Sequence, residues 1–212
     1  MATNKPELAS ARLASSTSLT PRASVLRFRR IQEQAAIAQP QAYLNVQIDG
    51  RVSSYFEWLG AGIYCPARRA ATQSGRQQLL RELHYGFGER FFYLRIDPIP
   101  DLLPRLQDVE FRIKLQENEE VRLLVGIEGG KFAGCLLDTE DICILGPHEL
   151  VGAAFDKILE VSIARRLLRL AGRTTMTLEI GLWANDLPLD LLPIDGSIEV
   201  KLGTAAFAWP AE

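Results

Sequence analysis

The chain has 212 residues, of which 47% are hydrophobic and 24% charged, and its formal net charge is -2. These values are typical of an ordinary soluble globular protein, and the length allows one large or two small domains. A near-neutral chain lacks the basic excess expected of a nucleic-acid-binding protein. No segment reaches the ~18 to 20 consecutive apolar residues of a transmembrane helix. We therefore expect neither a nucleic-acid nor a membrane partner.

The first forty residues differ in composition from the rest. They are rich in Ala, Ser, Arg and Gln, and Glu7 is the only acidic residue before Glu33. They lack the continuous apolar core of a secretory signal, although an arginine-rich, acid-poor leader also resembles an organellar transit peptide. The bacterial character of the remaining sequence favours a tail. We predict a flexible amino-terminal arm over residues 1–40 and one domain over residues 41–212.

The three cysteines, Cys65, Cys135 and Cys143, do not form a recognisable framework. Their number is odd, which excludes a complete set of disulfides, and no CxxC spacing favours a zinc site. We interpret them as reduced thiols in a cytoplasmic protein.

Hydrophobic alternation with a period of two dominates the chain after Pro40. It is seen over residues 111–115, 121–127, 159–163, 176–182 and 198–202. This period predicts strands with one buried face. Several such strands separated by turn residues predict an all-β fold, an antiparallel β-sandwich of the immunoglobulin-like or jelly-roll-like kind.

Two hairpins are predicted from their turn residues. Gly88-Glu89 suits a type II′ turn, which would place Leu83 opposite Leu94 and His84 opposite Tyr93. Glu128-Gly129-Gly130-Lys131 predicts a second hairpin between residues 121–127 and 132–137. Two short helices are predicted over residues 149–155 and 164–170, the second ending near Gly172.

Three segments carry a resemblance to a known family. They are Ile48–Ser54 with Tyr55–Tyr64 (IDGRVSS and YFEWLGAGIY), Leu83–Phe87 (LHYGF) and Phe92–Asp97 (FYLRID). This wording resembles the carboxy-terminal, non-catalytic β-rich module that follows the catalytic barrel in family 57 glycoside hydrolases. The resemblance covers roughly residues 46–209 and departs from the family wording at Pro66–Ser74.

A second, weaker resemblance lies at the strand–helix–strand order over residues 159–182. It is similar to a corner of family 9 carbohydrate-binding modules and of the glucodextranase carboxy-terminal domain, although the proline and the final aspartate of that corner are missing.

The residues do not assemble a readable catalytic site. The two histidines, His84 and His148, have no companion base or nucleophile at a recognisable spacing, and we interpret His84 as a surface histidine beside Tyr93. His148 with Cys143 would give only half of a tetrahedral metal site. In the family that the chain resembles, the catalytic carboxylates lie in the barrel, for which this chain has no room. We predict a non-enzymatic module with no metal and no cofactor.

A sugar-binding face is the sharpest functional hypothesis from the sequence. Aromatic rings stack on pyranose rings, while acidic, basic and amide side chains bond to the hydroxyl groups. Trp58 is predicted to lie in the core, on a strand face shared with Phe56. The predicted glycan-contacting residues are those expected to point outward: Trp183, Tyr93, Arg95, Asp97, Asn185 and Asp186.

The predicted ligand is an α-glucan or a related polysaccharide. The alternative is a structural module that docks onto a glycoside hydrolase barrel encoded on a separate chain, with Tyr55–Tyr64 as the interface and core element. A remnant with neither activity is a third reading, because a stable sandwich needs no ligand. A calcium ion bracing residues 138–141 stays open.

Overall fold

The structure is a computed structural model, and it describes residues 35–66, 78–100, 106–116, 121–137, 142–144, 148–168, 170 and 173–202. Contacts between residues divide the chain after Ile31, and every described residue belongs to the second unit, Gln32–Glu212. Among the described residues, no helix combines the length and apolarity needed to cross a membrane.

Thirteen strands of the described chain form two antiparallel sheets. The first sheet contains β1 (Ala36–Ala38), β2 (Gly62–Cys65), β3 (Leu80–Phe87), β4 (Phe91–Pro98), β9 (Val151–Phe155) and β10 (Leu159–Ala164). Its strand order is β1-β2-β3-β4-β10-β9. The second sheet contains β5 (Val109–Gln116), β6 (Val121–Glu128), β7 (Lys131–Leu137), β8 (Ile142–Ile144), β11 (Thr175–Ala184), β12 (Leu187–Leu192) and β13 (Ile198–Lys201). Its order is β12-β11-β5-β6-β7-β8, and β13 also pairs with β11.

The main hydrophobic core contains residues from both sheets. The alternating apolar residues of β5, β6 and β11 are buried in it, as are Leu83, Leu94 and Ile96 of the first sheet. Burial of each large apolar side chain stabilises the fold by about 1.5 to 3 kcal/mol relative to exposure. The all-β sandwich predicted from the alternation is confirmed.

The hairpin between β3 and β4 has a different register from the predicted one. Leu83 lies opposite Ile96 and His84 lies opposite Arg95, a shift of two residues. Gly88 donates its N–H to the carbonyl of Phe91, so the turn is centred on Glu89-Arg90. The predicted type II′ turn is wrong because Gly88 does not have a positive φ. A two-residue shift keeps every side chain on its predicted face.

The glycine at position 88 has a packing role. A Cβ atom there would lie 2.6 Å from the carbonyl oxygen of Leu44 and 2.8 Å from Cε2 of Tyr93. Arg165 stabilises the turn, because its Nη1 donates to the carbonyls of Gly88 and Glu89 at 3.2 and 2.8 Å. The turn position therefore depends on a residue about 76 positions away in sequence.

The second predicted hairpin is confirmed. Gly129 and Gly130 join β6 to β7, and both have positive φ, 55° and 72°. Positive φ at both central residues is the geometry of a type I′ turn, which glycine adopts without strain.

The helix predicted over residues 149–155 is wrong. Residues Val151–Phe155 form the edge strand β9, which pairs with β10. The second predicted helix is reduced to one turn, α1 (Arg165–Leu168). A strand of small residues is ambiguous by local pattern, and pairing with a neighbouring strand decides its state.

The module begins before the predicted boundary at Gln41. Strand β1 pairs with β2, and the hydroxyl of Tyr85 donates to the carbonyl of Ala38 at 3.0 Å. Burial raises the pKa of Tyr85 to about 12. Gln39 also bonds to the backbone of Glu199 and Lys201. Residues 36–39 therefore belong to the sandwich. Residues 1–34 and the calcium hypothesis at 138–141 lie outside the described residues.

Candidate functional site

The outer face of the first sheet is covered by the chain that precedes β2. Leu44, Val46 and Trp58 pack there against Tyr93 and form a second apolar cluster. Tyr93 is buried, and this burial raises the pKa of its hydroxyl. The prediction that Tyr93 points outward is therefore wrong, because a covering segment turns the second face of the strand into interior.

Arg95 and Asp97 lie on this same face and form an ionic cluster with β3. Arg95 donates to Asp97 from Nε and from Nη2, both at 2.7 Å. Arg81 donates to Asp97 at 2.7 Å and to Glu82 at 3.0 Å. Asp97 is buried, and its carboxylate is held by two guanidinium groups. Such a carboxylate is not available to bond to a sugar hydroxyl unless an arginine moves.

His84 is also part of this cluster, contrary to its predicted surface position. Its side chain is 13% exposed, and Nε2 lies 3.5 Å from Oε1 of Glu82. Its ring lies edge-on to Trp58, with centroids 6.2 Å apart. Burial lowers the pKa of His84, and the nearby charge of Arg95 lowers it further. The imidazole is therefore neutral at pH 7.

One group of residues in the described chain has the spacing of metal ligands. Ligand atoms of Glu82, His84 and Asp97 lie within 4.8 Å of one another. Two carboxylates and an imidazole suit zinc or a similar transition metal. A cation there would have to displace Arg81 and Arg95, whose positive charges oppose it. The arrangement favours a structural link between β3 and β4 over a metal centre.

Cys65 lies beside this cluster. Its thiol is 3.8 Å from Oε2 of Glu82, and burial followed by the charge of Glu82 raises the pKa of the thiol. A raised pKa leaves the thiol protonated and unreactive at neutral pH.

Trp183 lies on the outer face of the second sheet. The Cζ atom of Arg112 is 4.1 Å from its ring centroid, which is a cation–π contact. The indole also lies over Gly181, where a Cβ would be only 2.4 Å from Nε1. Arg112 bonds to Glu110 at 2.5 Å and to Asp186 at 2.8 Å, and these bonds raise its pKa. Trp183 is half-buried, and Arg112 occupies one side of its ring.

Asn185 and Asp186 form the two-residue turn between β11 and β12. Both have left-handed φ, 48° and 59°, as a type I′ hairpin turn requires. The Asp186 side chain is almost fully exposed. The sequence contained an indication of this turn, because Asn and Asp are the non-glycine residues that most often adopt left-handed φ in type I′ turns.

The six predicted glycan-contacting residues do not form one site. The structure brings Trp183, Asn185 and Asp186 together on the second sheet. The other three residues, Tyr93, Arg95 and Asp97, lie on β4 of the first sheet. The two groups occupy opposite outer faces of the sandwich.

An exposed aromatic pair precedes β2, in the segment Tyr55–Tyr64 that the docking alternative named as an interface and core element, although Phe56 was predicted to share the buried strand face of Trp58. Tyr55 and Phe56 are each 76% exposed, and their rings meet edge to face at 5.8 Å. Val52 and Leu59, in the same segment, are also exposed. We call these four exposed side chains, which lie within eight consecutive residues, the apolar surface.

The apolar surface lies on a loop with its own internal order. Residues 55–58 form a 3-10 helix and not a strand, so Phe56 does not share the buried side with Trp58. A capping box links Ser54 and Glu57 at the start of this helix. Arg51 donates its N–H to Oδ1 of Asp49 at 2.8 Å, and Ser53 donates to the same carboxylate. The capping signal Ser-x-x-Glu is readable in the sequence and could have predicted the helix start.

Glu160 of β10 attaches this loop to the first sheet. It is fully buried and accepts the N–H groups of Asp49 and Gly50, each at 3.0 Å. It also accepts the indole N–H of Trp58 at 3.2 Å. Burial raises the pKa of Glu160, although these three hydrogen bonds act in the opposite direction. Trp58 is buried, as predicted.

Searches with this chain against protein-family models, curated proteins and solved structures returned no match. The resemblance to the family 57 module therefore stays a prediction from the sequence.

Proposed function

We propose that this protein is a non-catalytic interaction module that docks, through its apolar surface, onto the catalytic barrel of a glycoside hydrolase on a separate chain. The observation that carries the proposal is the exposure of Tyr55 and Phe56 on an ordered loop. Exposed aromatic side chains with apolar neighbours are characteristic of the central residues of protein interfaces.

The position of the apolar surface in the chain supports the choice of partner. Tyr55 and Phe56 belong to the segment with the most specific resemblance to family 57. In the proteins of that family, the corresponding segment opens the module that directly follows the catalytic barrel. Because both side chains are exposed, packing in the core does not explain why this segment has the family-like sequence. Contact with a barrel would account for it.

The surroundings of the apolar surface favour a protein over a sugar. Its other members, Val52 and Leu59, are aliphatic and offer no hydrogen-bonding group to a sugar hydroxyl, although the neighbouring Arg51 and Ser53 are exposed and polar. Interface centres are depleted in charge and enriched in aromatic residues.

Both histidines make contacts within the module. Nε2 of His84 is enclosed, and Nδ1 of His148 accepts the N–H of Leu150.

The test is direct binding to a family 57 catalytic barrel that lacks a segment of this kind, produced as a separate chain. Calorimetry of the two purified chains should show a complex. The Tyr55→Ser/Phe56→Ser variant should weaken it by about 100-fold or more, because central aromatic residues each contribute about 2 kcal/mol or more.

A Leu187→Ser/Ile194→Ser variant is the matched control, because both residues are exposed and apolar but lie in and after β12. Its affinity should equal that of the wild type. Equal affinity for the Tyr55→Ser/Phe56→Ser variant would contradict the proposed surface.

Glycan binding is the second candidate, supported by the half-buried indole of Trp183 beside the exposed Asp186. A sugar would replace the Arg112 guanidinium over the ring. Electrophoresis of the native protein through gels containing glycogen, pullulan or a β-glucan should show retardation by the α-glucans, and Trp183→Ala should abolish it. Unchanged mobility in all three gels would exclude this ligand class.

A further inference from the structure

We infer that Glu160 is the positioning residue of the docking loop, residues 49–59, and that it fixes the loop in the free protein before a partner binds. The inference rests on the proposed function for its consequence in binding, but the ordering of the loop is measurable without any partner. Glu160 itself lies on β10 and is fully buried, so it cannot touch the partner.

The hydrogen bonds of Glu160 close the loop at both ends. Oε2 accepts from the backbone of Asp49 and Gly50, at the loop's beginning. Oε1 accepts from the indole of Trp58, at the end of the 3-10 helix. One carboxylate therefore joins two points about eight residues apart, and Tyr55 and Phe56 lie between them.

The turn between β9 and β10 holds the same end of the loop. The carbonyl of Gly50 accepts the N–H groups of Lys157 and Ile158 at 3.1 and 3.2 Å. Gly50 has φ of +78°, and a Cβ there would lie 2.7 Å from the backbone nitrogen of Asp156. Arg51 also pairs with Asp156 at 2.5 Å, although both side chains are well exposed. The backbone contacts of Gly50 fix the beginning of the loop, and the hydrogen bond from Trp58 to Glu160 fixes its end.

The donor set of this site requires a carboxylate. All three groups around Glu160 are N–H donors, so both of its oxygens must act as acceptors. A glutamine has one acceptor oxygen and one NH₂ donor, and therefore satisfies either the two backbone amides or the indole. Glu160→Gln therefore keeps the shape of the side chain but places its NH₂ group against one of the N–H donors.

In the free protein, the loop should already have the conformation that it has in the complex. Ordering two aromatic side chains and the loop around them during binding would weaken association, and a prepared loop avoids that loss. Loss of Glu160 should therefore weaken docking about tenfold, with every residue of the apolar surface still present.

The experiment compares hydrogen exchange in the wild type, Glu160→Gln and Glu160→Gln/Trp58→Phe. In Glu160→Gln, exchange at the Asp49 and Gly50 amides or at the Trp58 indole should accelerate about tenfold, because one hydrogen bond is lost. The Trp58→Phe background removes the indole N–H, so the Glu160→Gln change should there leave the two backbone amides protected.

The matched control is Asp190→Asn, at another buried carboxylate that accepts two consecutive backbone amides, those of Leu79 and Leu80, at 2.8 and 2.9 Å. Because Oδ1 of Asp190 also accepts the N–H of Leu191 at 3.0 Å, Asp190→Asn should alter exchange at residues 79 and 80 or at residue 191, and leave residues 49, 50 and 58 unchanged. Unchanged exchange at residues 49, 50 and 58 in Glu160→Gln would overturn the inference.

Calorimetry with the family 57 barrel separates the inference from the proposed function. If Tyr55→Ser/Phe56→Ser weakens the complex and Glu160→Gln does not, the docking surface stands and the positioning role is overturned. If Tyr55→Ser/Phe56→Ser binds like the wild type, the docking function fails, and the exchange data alone decide whether Glu160 orders the loop.

Discussion

The two sheets of the sandwich differ on their outer faces. In the first sheet, every residue of β10 is buried, because the chain before β2 covers the face opposite the main core. In the second sheet, β6 alternates between buried and more exposed residues along its whole length. A strand such as β10 is therefore buried on both faces in the first sheet, whereas a strand such as β6 is buried on only one face in the second sheet.

Covering a face changes what its polar residues must do. Asp97 and Glu160 are buried on the covered face, where a carboxylate without partners would destabilise the fold by several kcal/mol. Each has three or more N–H donors directed at it. On the open face, the pairs made by Arg112 remain accessible to water, where such pairs contribute about 0 to 1 kcal/mol.

The largest expected difference between the faces concerns their tryptophans. Trp58→Ala should lower the free energy of unfolding by about 3 to 5 kcal/mol, because it empties the second apolar cluster and leaves Glu160 without its indole donor. Trp183→Ala should lower it by only about 1 kcal/mol, the size of a partly exposed cation–π contact.

Urea unfolding followed by far-UV circular dichroism measures both values, and it does not depend on either indole as a probe. Equal losses of unfolding free energy in the two variants would show that the second apolar cluster under the covering segment does not stabilise the fold. In that case, only the main core between the two sheets would contribute to stability.

The sequence predicts the open sheet better than the covered one. In β5, β6 and β11, alternation correctly predicts the buried residues because one side faces water. In β10, the same alternation predicts Leu159, Val161 and Ile163 as the buried set. Ser162 is buried too, and so is Glu160, because residues about 110 positions earlier in the chain cover that glutamate.

The candidate site follows the same rule. Trp183 was correctly predicted to lie on the outer face of β11, whereas the outward prediction failed for Tyr93. The exposure of Tyr55 and Phe56 could not be read from apolar composition, because large aromatic residues are buried on average. Only the capping box at Ser54 indicates that the segment leaves strand geometry.

The smallest expected effect is a pH dependence that belongs to the covered face. Burial and the charge of Arg95 lower the pKa of His84, against the charges of Asp97 and Glu82, which favour protonation. The unfolded chain therefore takes up a proton near pH 6.5, before the folded protein does. Linkage then requires His84 to reduce the free energy of unfolding as the pH falls below about 6.5. The loss continues until the folded pKa is reached, and it is constant below it.

His84→Phe removes this titration and keeps a ring against Trp58. At pH 8 the histidine is neutral in both states, so the difference in stability between wild type and variant there reflects packing alone. On going from pH 8 to pH 5, this difference should move in favour of the variant. Urea unfolding at pH 8, 6.5 and 5 measures it. A difference that stays constant would mean that the covering segment does not exclude water from His84, and that this face of the first sheet behaves like the open face of the second. A difference that moves in favour of the wild type would mean that the charges of Asp97 and Glu82 outweigh burial and raise the pKa of His84 in the folded protein.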